Sequence, residues 1–159
     1  MPDDTPWLDP DERGAWVALV RTMLRLPATL DTQLQREAGV TFFEYLVIAM
    51  LSETDDRTLQ MSELADLTAA SLSRLSHVVS RMESRGLVRR ERIPGTGRRT
   101  AATLTDEGLA LIAGAAPDHV VHVRSLVVDA VDRDDLAAVR RVAERISERI
   151  DDERSGPTR

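Results

Sequence analysis

The segment 71–86, SLSRLSHVVSRMESRG, decides how the rest of the chain is read. At helical spacing it divides into two faces: Leu72, Leu75, Val78, Val79 and Met82 on one side, Ser73, Arg74, His77, Ser80, Arg81, Ser84 and Arg85 on the other. The first set predicts a side packed into a core. The second predicts a surface of small hydroxyls, a histidine and guanidiniums, with Gly86 ending the helix. Small polar side chains can approach base edges closely, and arginine matches guanine or phosphate acceptors in fork geometry.

Charge isolates the same region. The chain has 159 residues and a net charge of −6, and all its basic side chains are arginine. An arginine-favouring genome explains the missing lysine more simply than selection for bidentate contacts. Residues 71–100 nevertheless hold arginines 74, 81, 85, 89, 90, 92, 98 and 99 against Glu83 and Glu91, a net of +6, which leaves −12 on the remainder. A block of one sign on a body of the other is the footprint of a polyanion site.

Upstream, Met61, Leu64, Ala65 and Leu67 mark a short helix after the polar loop 52–58, and Thr68-Ala69-Ala70 separates it from the helix opened by Ser71. Two helices so joined predict a helix-turn-helix, although the usual turn glycine is absent. Downstream, Leu87 and Val88 start a strand, Pro94-Gly95-Thr96-Gly97 supplies a hairpin tip, and Ala101, Ala102 and Leu104 return. With Gly97, Arg98 and Arg99 beside it, that tip is slim and basic enough for a minor groove.

Toward the N-terminus, Asp9-Pro10 is a helix start, Trp16, Leu19, Val20, Met23 and Leu24 recur at helical spacing, and Pro27 is expected to kink or break the helix. Thr41 and Glu44 form a capping box ahead of FEYLVIAML, a helix with little polar face and so a central place in the core. After Thr105 another helix opens, with Pro117 expected to interrupt it and Val120, Val121, Val123, Leu126 and Val127 extending its apolar face. Leu136, Val139, Val142, Ala143, Ile146 and Ile150 form a stripe on a last helix ending near Asp151. Long amphipathic helices at both ends suit pairing across a two-fold axis, with burial inside one chain as the competing use.

Together these residues resemble the MarR family of bacterial transcriptional regulators, through "MSELA", "LSRLSHVVSRMESRGLV" and "GRRTAATLTDEG" in that order between Met61 and Gly108. The resemblance implies a mainly α fold with a small β-hairpin wing, a winged helix-turn-helix carrying N- and C-terminal dimerisation helices. The expected division is 1–40 for N-terminal dimerisation, 41–108 for the DNA-binding lobe, 109–151 for C-terminal dimerisation and 152–159 for a frayed tail. It implies a homodimer on a pseudo-palindromic double-stranded DNA operator, a repressor relieved by a small-molecule effector, while composition gives a cytoplasmic protein as the plain expectation. By matching position, Ser71, Ser73, Arg74 and His77 would contact bases or backbone, Arg81 would contact phosphate or brace the lobe, and Arg98 would lead the wing. Family members often carry Asp where this chain has Thr96, so Arg99 is expected to share the role of Arg98.

Competing readings attach to several residues. His77 lies in the groove-facing stripe, but exposed histidines are commonly incidental. Trp16, Phe42, Phe43 and Tyr45 are candidates to line the effector crevice that the resemblance implies, with core packing as their competing role. His119 and His122 are spaced to share a helix face with Asp118 nearby, yet two histidines without a third ligand do not make a metal site, and no cofactor is expected. No cysteine is present, which removes disulfides and thiol switches. No apolar run approaches the roughly 18 residues of a membrane span, and the acidic N-terminus does not read as a secretion signal. Neither a nucleophile elbow nor a phosphate-binding glycine loop occurs, so an enzyme is not expected. The remaining alternative is a winged-helix protein–protein adaptor without specific DNA binding.

Overall fold

Residues 42–52, FFEYLVIAMLS, are so uniformly apolar that a helix made of them has to be surrounded, and the fold is built around it. In a computed structural model, which describes residues 5–95, 97 and 99–156, the elements are α1 (Pro10–Ala38), α2 (Phe42–Ser52), β1 (Thr58–Gln60), α3 (Met61–Leu67), α4 (Leu72–Ser84), β2 (Val88–Arg92), β3 (Thr100–Leu104), α5 (Asp106–Val123) and α6 (Arg133–Ser155). A π-helical turn, Arg124–Val128, precedes α6. The chain divides into two compact units at His119/Val120.

The first unit carries the core. Val47, Ile48 and Leu51 of α2 are fully buried, packed with Leu34, Val40, Leu64, Leu75, Val79, Met82, Val88, Ala102 and Leu104. Each such side chain contributes about 1.5–3 kcal/mol relative to exposure, which fixes the faces that α3 and α4 turn inward. The expected caps form. Asp9 and Glu12 close a capping box at α1, Thr41 and Glu44 close another at α2, and the Ser71 hydroxyl accepts the Arg74 N–H at 3.2 Å. Gly39 and Gly86 follow α1 and α4 with φ of 65° and 75°. After α4, Leu87 N–H donates to Met82 O and Gly86 N–H to Glu83 O, so the helix ends in a Schellman motif.

The turn without glycine has the same solution. Ala70 N–H donates to Ala65 O and Ala69 N–H to Asp66 O, with Ala69 itself at φ 50°. Alanine thus occupies the left-handed seat between α3 and α4, at a cost of roughly 1–2 kcal/mol.

Several expectations are corrected. The hairpin of β2 and β3 is joined by a third strand, giving an antiparallel sheet of order β1-β3-β2. β1 lies where a polar loop runs into α3, and pairs Thr58 with Thr103, Leu59 with Ala102 and Gln60 with Ala101. Three residues are too few to show alternation, so only the partner strand reveals it. Neither Pro27 nor Pro117 interrupts its helix. Both lie on exposed faces, where solvent can satisfy the carbonyls of Met23 and Ala113 that lose their bonds. Leu72 is 54% exposed rather than core, because at the head of α4 it sits beside the buried seam and lines the groove toward the hairpin. Trp16 is also exposed, since the N-terminal half of α1 has no element of its own unit to pack on.

In the second unit, Asp132 caps α6 by accepting the Asp135 N–H at 2.8 Å, and α6 runs on through Ser155, past the expected end at Asp151. Val139, Val142, Ile146 and Ile150 form an exposed apolar stripe along it.

Two contacts tie the sheet to its helices and can be tested. A Cβ on Gly108 would lie 2.3 Å from the Leu87 carbonyl oxygen, so α5 approaches β2 through the space that glycine leaves. Gly108→Ala is expected to destabilise by about 1–3 kcal/mol in urea unfolding, and an unchanged midpoint would refute the close approach. Between α4 and β2, Arg90 donates from N and Nε to Glu83 at 3.0 and 2.9 Å and from Nη2 at 2.7 Å. These hydrogen bonds hold the Glu83 carboxyl below its ordinary pKa. A lowered carboxyl pKa gives stability that is present above the unfolded value and lost as pH falls through the folded one. The stability difference between the wild type and Glu83→Gln should therefore be largest near neutrality and shrink below about pH 4; a difference independent of pH would contradict the pairing.

Candidate nucleic-acid interface

At about 100° per residue, the buried seam of α4 (Leu75, Val78, Val79 and Met82) fixes what every other position faces. Opposite the seam runs a crest of Ser73, His77, Ser80 and Ser84, all exposed. On one flank lie Arg74, Arg81 and Arg85, on the other Leu72, Ser76 and Glu83. The expected polar face is therefore present, but its arginines are on its side rather than its summit. The crest consists of hydroxyls and an imidazole, short enough for close approach to a flat partner.

The arginine flank is turned toward the corner between α1 and α2. The Arg74 guanidinium lies over the Phe43 ring, 4.5 Å from its centroid. Arg85 donates from Nη2 to Gly39 O at 2.9 Å and holds Nη1 at 3.5 Å from Glu44, while Arg81 Nη2 stands 3.9 Å from the same carboxylate. Cation–π contact and partial pairing keep these side chains extended along the surface rather than coiled in solvent.

The opposite flank borders an open groove of about 590 Å³ between α4 and the hairpin, lined among others by Leu72, Ser76, Arg90, Arg99 and Thr100. Arg99 is exposed, and its carbonyl accepts the Ile93 N–H at 3.0 Å across the hairpin. Gly95 and Gly97 take φ of 76° and 74°, so the tip turns through conformations that glycine favours. Arg98 and Thr96 lie outside the described residues.

The basic block is thus unevenly available. Arg90 is fully engaged by Glu83, and Arg89 pairs with Glu91 at 2.7 Å. Among the described residues, no carboxylate lies within ion-pair distance of Arg74, Arg92 or Arg99. These, with the looser Arg81, are the guanidiniums open to a polyanion.

The aromatic candidates do not form one cluster. Phe43 stacks under Arg74, whereas Tyr45 and Phe42 face His119, with ring centroids 4.3 and 6.2 Å away. Tyr45 is buried, which raises its phenol pKa. Trp16 stands apart on the exposed part of α1. His119 is itself buried, its Nδ1 3.2 Å from Gln33 Oε1, and no group of three His, Cys, Asp or Glu suited to a metal occurs among the described residues. Among those residues no helix is long and apolar enough to cross a membrane. Sequence reasoning missed Glu44 and Glu83 as arginine partners. In the sequence Glu44 stands as a helix cap and Glu83 as a minority charge in a basic block, and only the packing of α4 against the α1–α2 corner and β2 makes them arginine partners.

Comparison with known proteins agrees with this geometry. A family model described as the MarR family matches residues 38–99, spanning the end of α1, α2, the helix-turn-helix, β2 and the hairpin tip up to the start of β3. The MarR family regulator Sco3205 of Streptomyces coelicolor, solved in complex with DNA, is 36% identical, covering 92% of this chain and 91% of its own at a TM-score of 0.88. AbsC, a MarR family regulator of the same organism, is 36% identical over 92% of this chain and 98% of its own, with a TM-score of 0.86. The transcriptional regulator HosA of Escherichia coli O111:H- is 34% identical over 74 residues, 46% of this chain and 53% of HosA. The chain spans between 53% and 60% of the curated relatives it matches. With its mostly helical architecture, three-stranded wing and two structural relatives matched over nearly their whole length, the chain belongs to the MarR family of transcriptional regulators.

Proposed function

We propose that the chain acts in the cytoplasm as a homodimer that reads a pseudo-palindromic DNA site, as a repressor whose grip a small ligand relaxes. The observation that carries the reading is the crest of α4. It is a row of short polar side chains, flanked by arginines, in a segment of net +6 on a body of net −12. In this reading Ser73 and His77 approach base edges, while Ser71 caps the helix and keeps its first turn regular. Arg74 and Arg81 contact the phosphates that border the major groove. Gly97, Arg98 and Arg99 carry the tip into the flanking minor groove, and the duplex backbone between the two grooves follows the channel beside Ser76 and Arg99. The Sco3205 complex with DNA supports the choice of partner.

Dimerisation follows from apolar surface. Trp16, Val17, Met23 and Leu24 on α1, and Val139, Val142, Ile146 and Ile150 on α6, are exposed in one chain, and contiguous apolar stripes of this kind mark association sites. A two-fold dimer must set its two reading helices about one helical turn, ~34 Å, apart. A ligand that changes that spacing would therefore weaken binding. Of the four aromatic candidates, which the fold separates, Phe43 is the one best placed to transmit such a ligand's effect, because it touches Arg74 of the reading helix directly.

Selection from a random duplex library at near-physiological salt tests the reading. An inverted repeat with half-site centres about one turn apart is expected. No enrichment, with the chain still dimeric, would favour the adaptor. Leu72 gives a finer test, because an exposed leucine at the head of α4 suits the methyl group of thymine. Replacing half-site thymines with deoxyuridine should weaken the wild type by roughly fourfold, about 0.8 kcal/mol for one methyl-sized group, and leave Leu72→Ala unchanged. Equal losses in both proteins would remove Leu72 from the reading surface.

A further inference from the structure

Glu44 is a carboxylate with more partners than a helix cap requires. It is 5% exposed at the third position of α2, where Oε2 accepts the Thr41 N–H at 2.9 Å. Glutamine fills this role in capping boxes as well as glutamate, so the cap does not account for the charge. The charge faces α4. Oε2 lies 3.5 Å from Arg85 Nη1 and Oε1 lies 3.9 Å from Arg81 Nη2, and both arginine side chains are substantially exposed on their far sides, at 41% and 66%.

The distances separate two kinds of arginine. Arg90 meets Glu83 at 2.7–3.0 Å through N, Nε and Nη2, which locks that edge of its guanidinium. Arg81 and Arg85 stand beyond hydrogen-bonding distance of Glu44, so that Arg81 is attracted but not locked, and Arg85 is anchored through Nη2 to the Gly39 carbonyl while its Nη1 stays unlocked. Phosphate offers the same fork a better geometry, with oxygens free to come within hydrogen-bonding range. A guanidinium drawn toward a buried carboxylate is only partly available to a weakly placed phosphate, and fully available to one held in register by the rest of the interface.

We propose that Glu44 is a positioning residue that competes with duplex phosphates for Arg81 and Arg85, suppressing binding to DNA that lacks the preferred site. The proposal rests on the DNA-binding reading above. Its signature is electrostatic, since each phosphate neutralised adds about 0.9 to the slope of log affinity against log salt. Holding arginines back on non-specific DNA lowers that slope there more than on the preferred site.

The test uses full-length wild type and Glu44→Gln, which retains the capping acceptor, on an arbitrary duplex and on the duplex recovered by selection. With non-specific DNA, Glu44→Gln should bind roughly five- to tenfold tighter at low salt with a slope steeper by about 1–2, and the ratio of specific to non-specific affinity should fall. An unchanged slope and ratio would overturn the proposal, as would parallel weakening on both duplexes, which is what loss of a cap alone would produce. A second measurement does not depend on the folding of that variant. With Glu44 in place, Arg81→Ala should leave the non-specific slope unaltered, whereas a decrease of about 0.9 would show that Arg81 already contacts phosphate there. Failure of the underlying reading looks different: the wild type would bind neither duplex at any salt.

Discussion

The rotation of α4 about its own axis is set by four side chains, Leu75, Val78, Val79 and Met82, pressed into the core around α2. Turning the helix by one position, about 100°, would carry most of this seam out of the core and bring in one of its flanks, Arg74, Arg81 and Arg85 or Leu72, Ser76 and Glu83. At about 1.5–3 kcal/mol for each apolar side chain, that is a large share of a domain's stability. The core therefore dictates which residues a partner can meet. The caps at both ends keep the helix in this setting, with Ser71 at the start and the Gly86 Schellman turn at the finish. Strand β2 is fastened to the same helix through Glu83 and Arg90, which sets the place of β2 against α4.

On that surface the arginines divide by what holds them. Arg90 is a structural tie, Arg85 bridges to the α1–α2 corner through the Gly39 carbonyl, and Arg81 is only loosely held by Glu44. Arg74 rests on an aromatic ring, which orients a guanidinium without neutralising it. A net charge of +6 over residues 71–100 thus overstates what a polyanion would meet, while the geometry of the remaining cations is better defined than charge alone implies. The corner that carries Phe43 and Glu44 also begins α2, so a disturbance there reaches the arginine flank of α4 through three contacts.

Legibility in the sequence followed the range of the interactions. Local signals were readable: Asp9-Pro10, the Thr41/Glu44 box, Gly86 after α4 and the hairpin glycines each act within a few residues. The inward and outward faces of α4 were also legible except for Leu72, because periodicity assigns a face without showing how far the core extends along it. Non-local features were not legible. β1 exists only because Thr58–Gln60 pairs with β3. The partners of Arg81, Arg85 and Arg90 lie on other elements or turns. His119, paired in sequence with His122 as a weak metal candidate, is instead packed against Tyr45 and Gln33 from α2 and α1. Ala69 shows a different limit, since its left-handed conformation is imposed by the helix-turn-helix against the preference of its own side chain.

The surface proposed to meet DNA is the crest of α4 together with the hairpin tip. Titrating isotope-labelled protein with an arbitrary duplex while following backbone amide resonances tests it, whatever the operator sequence. The largest changes are expected at residues 71–85 and 95–99, and they should reverse on adding salt. Changes confined to α1 and α6, with α4 unperturbed at saturating duplex, would contradict that assignment.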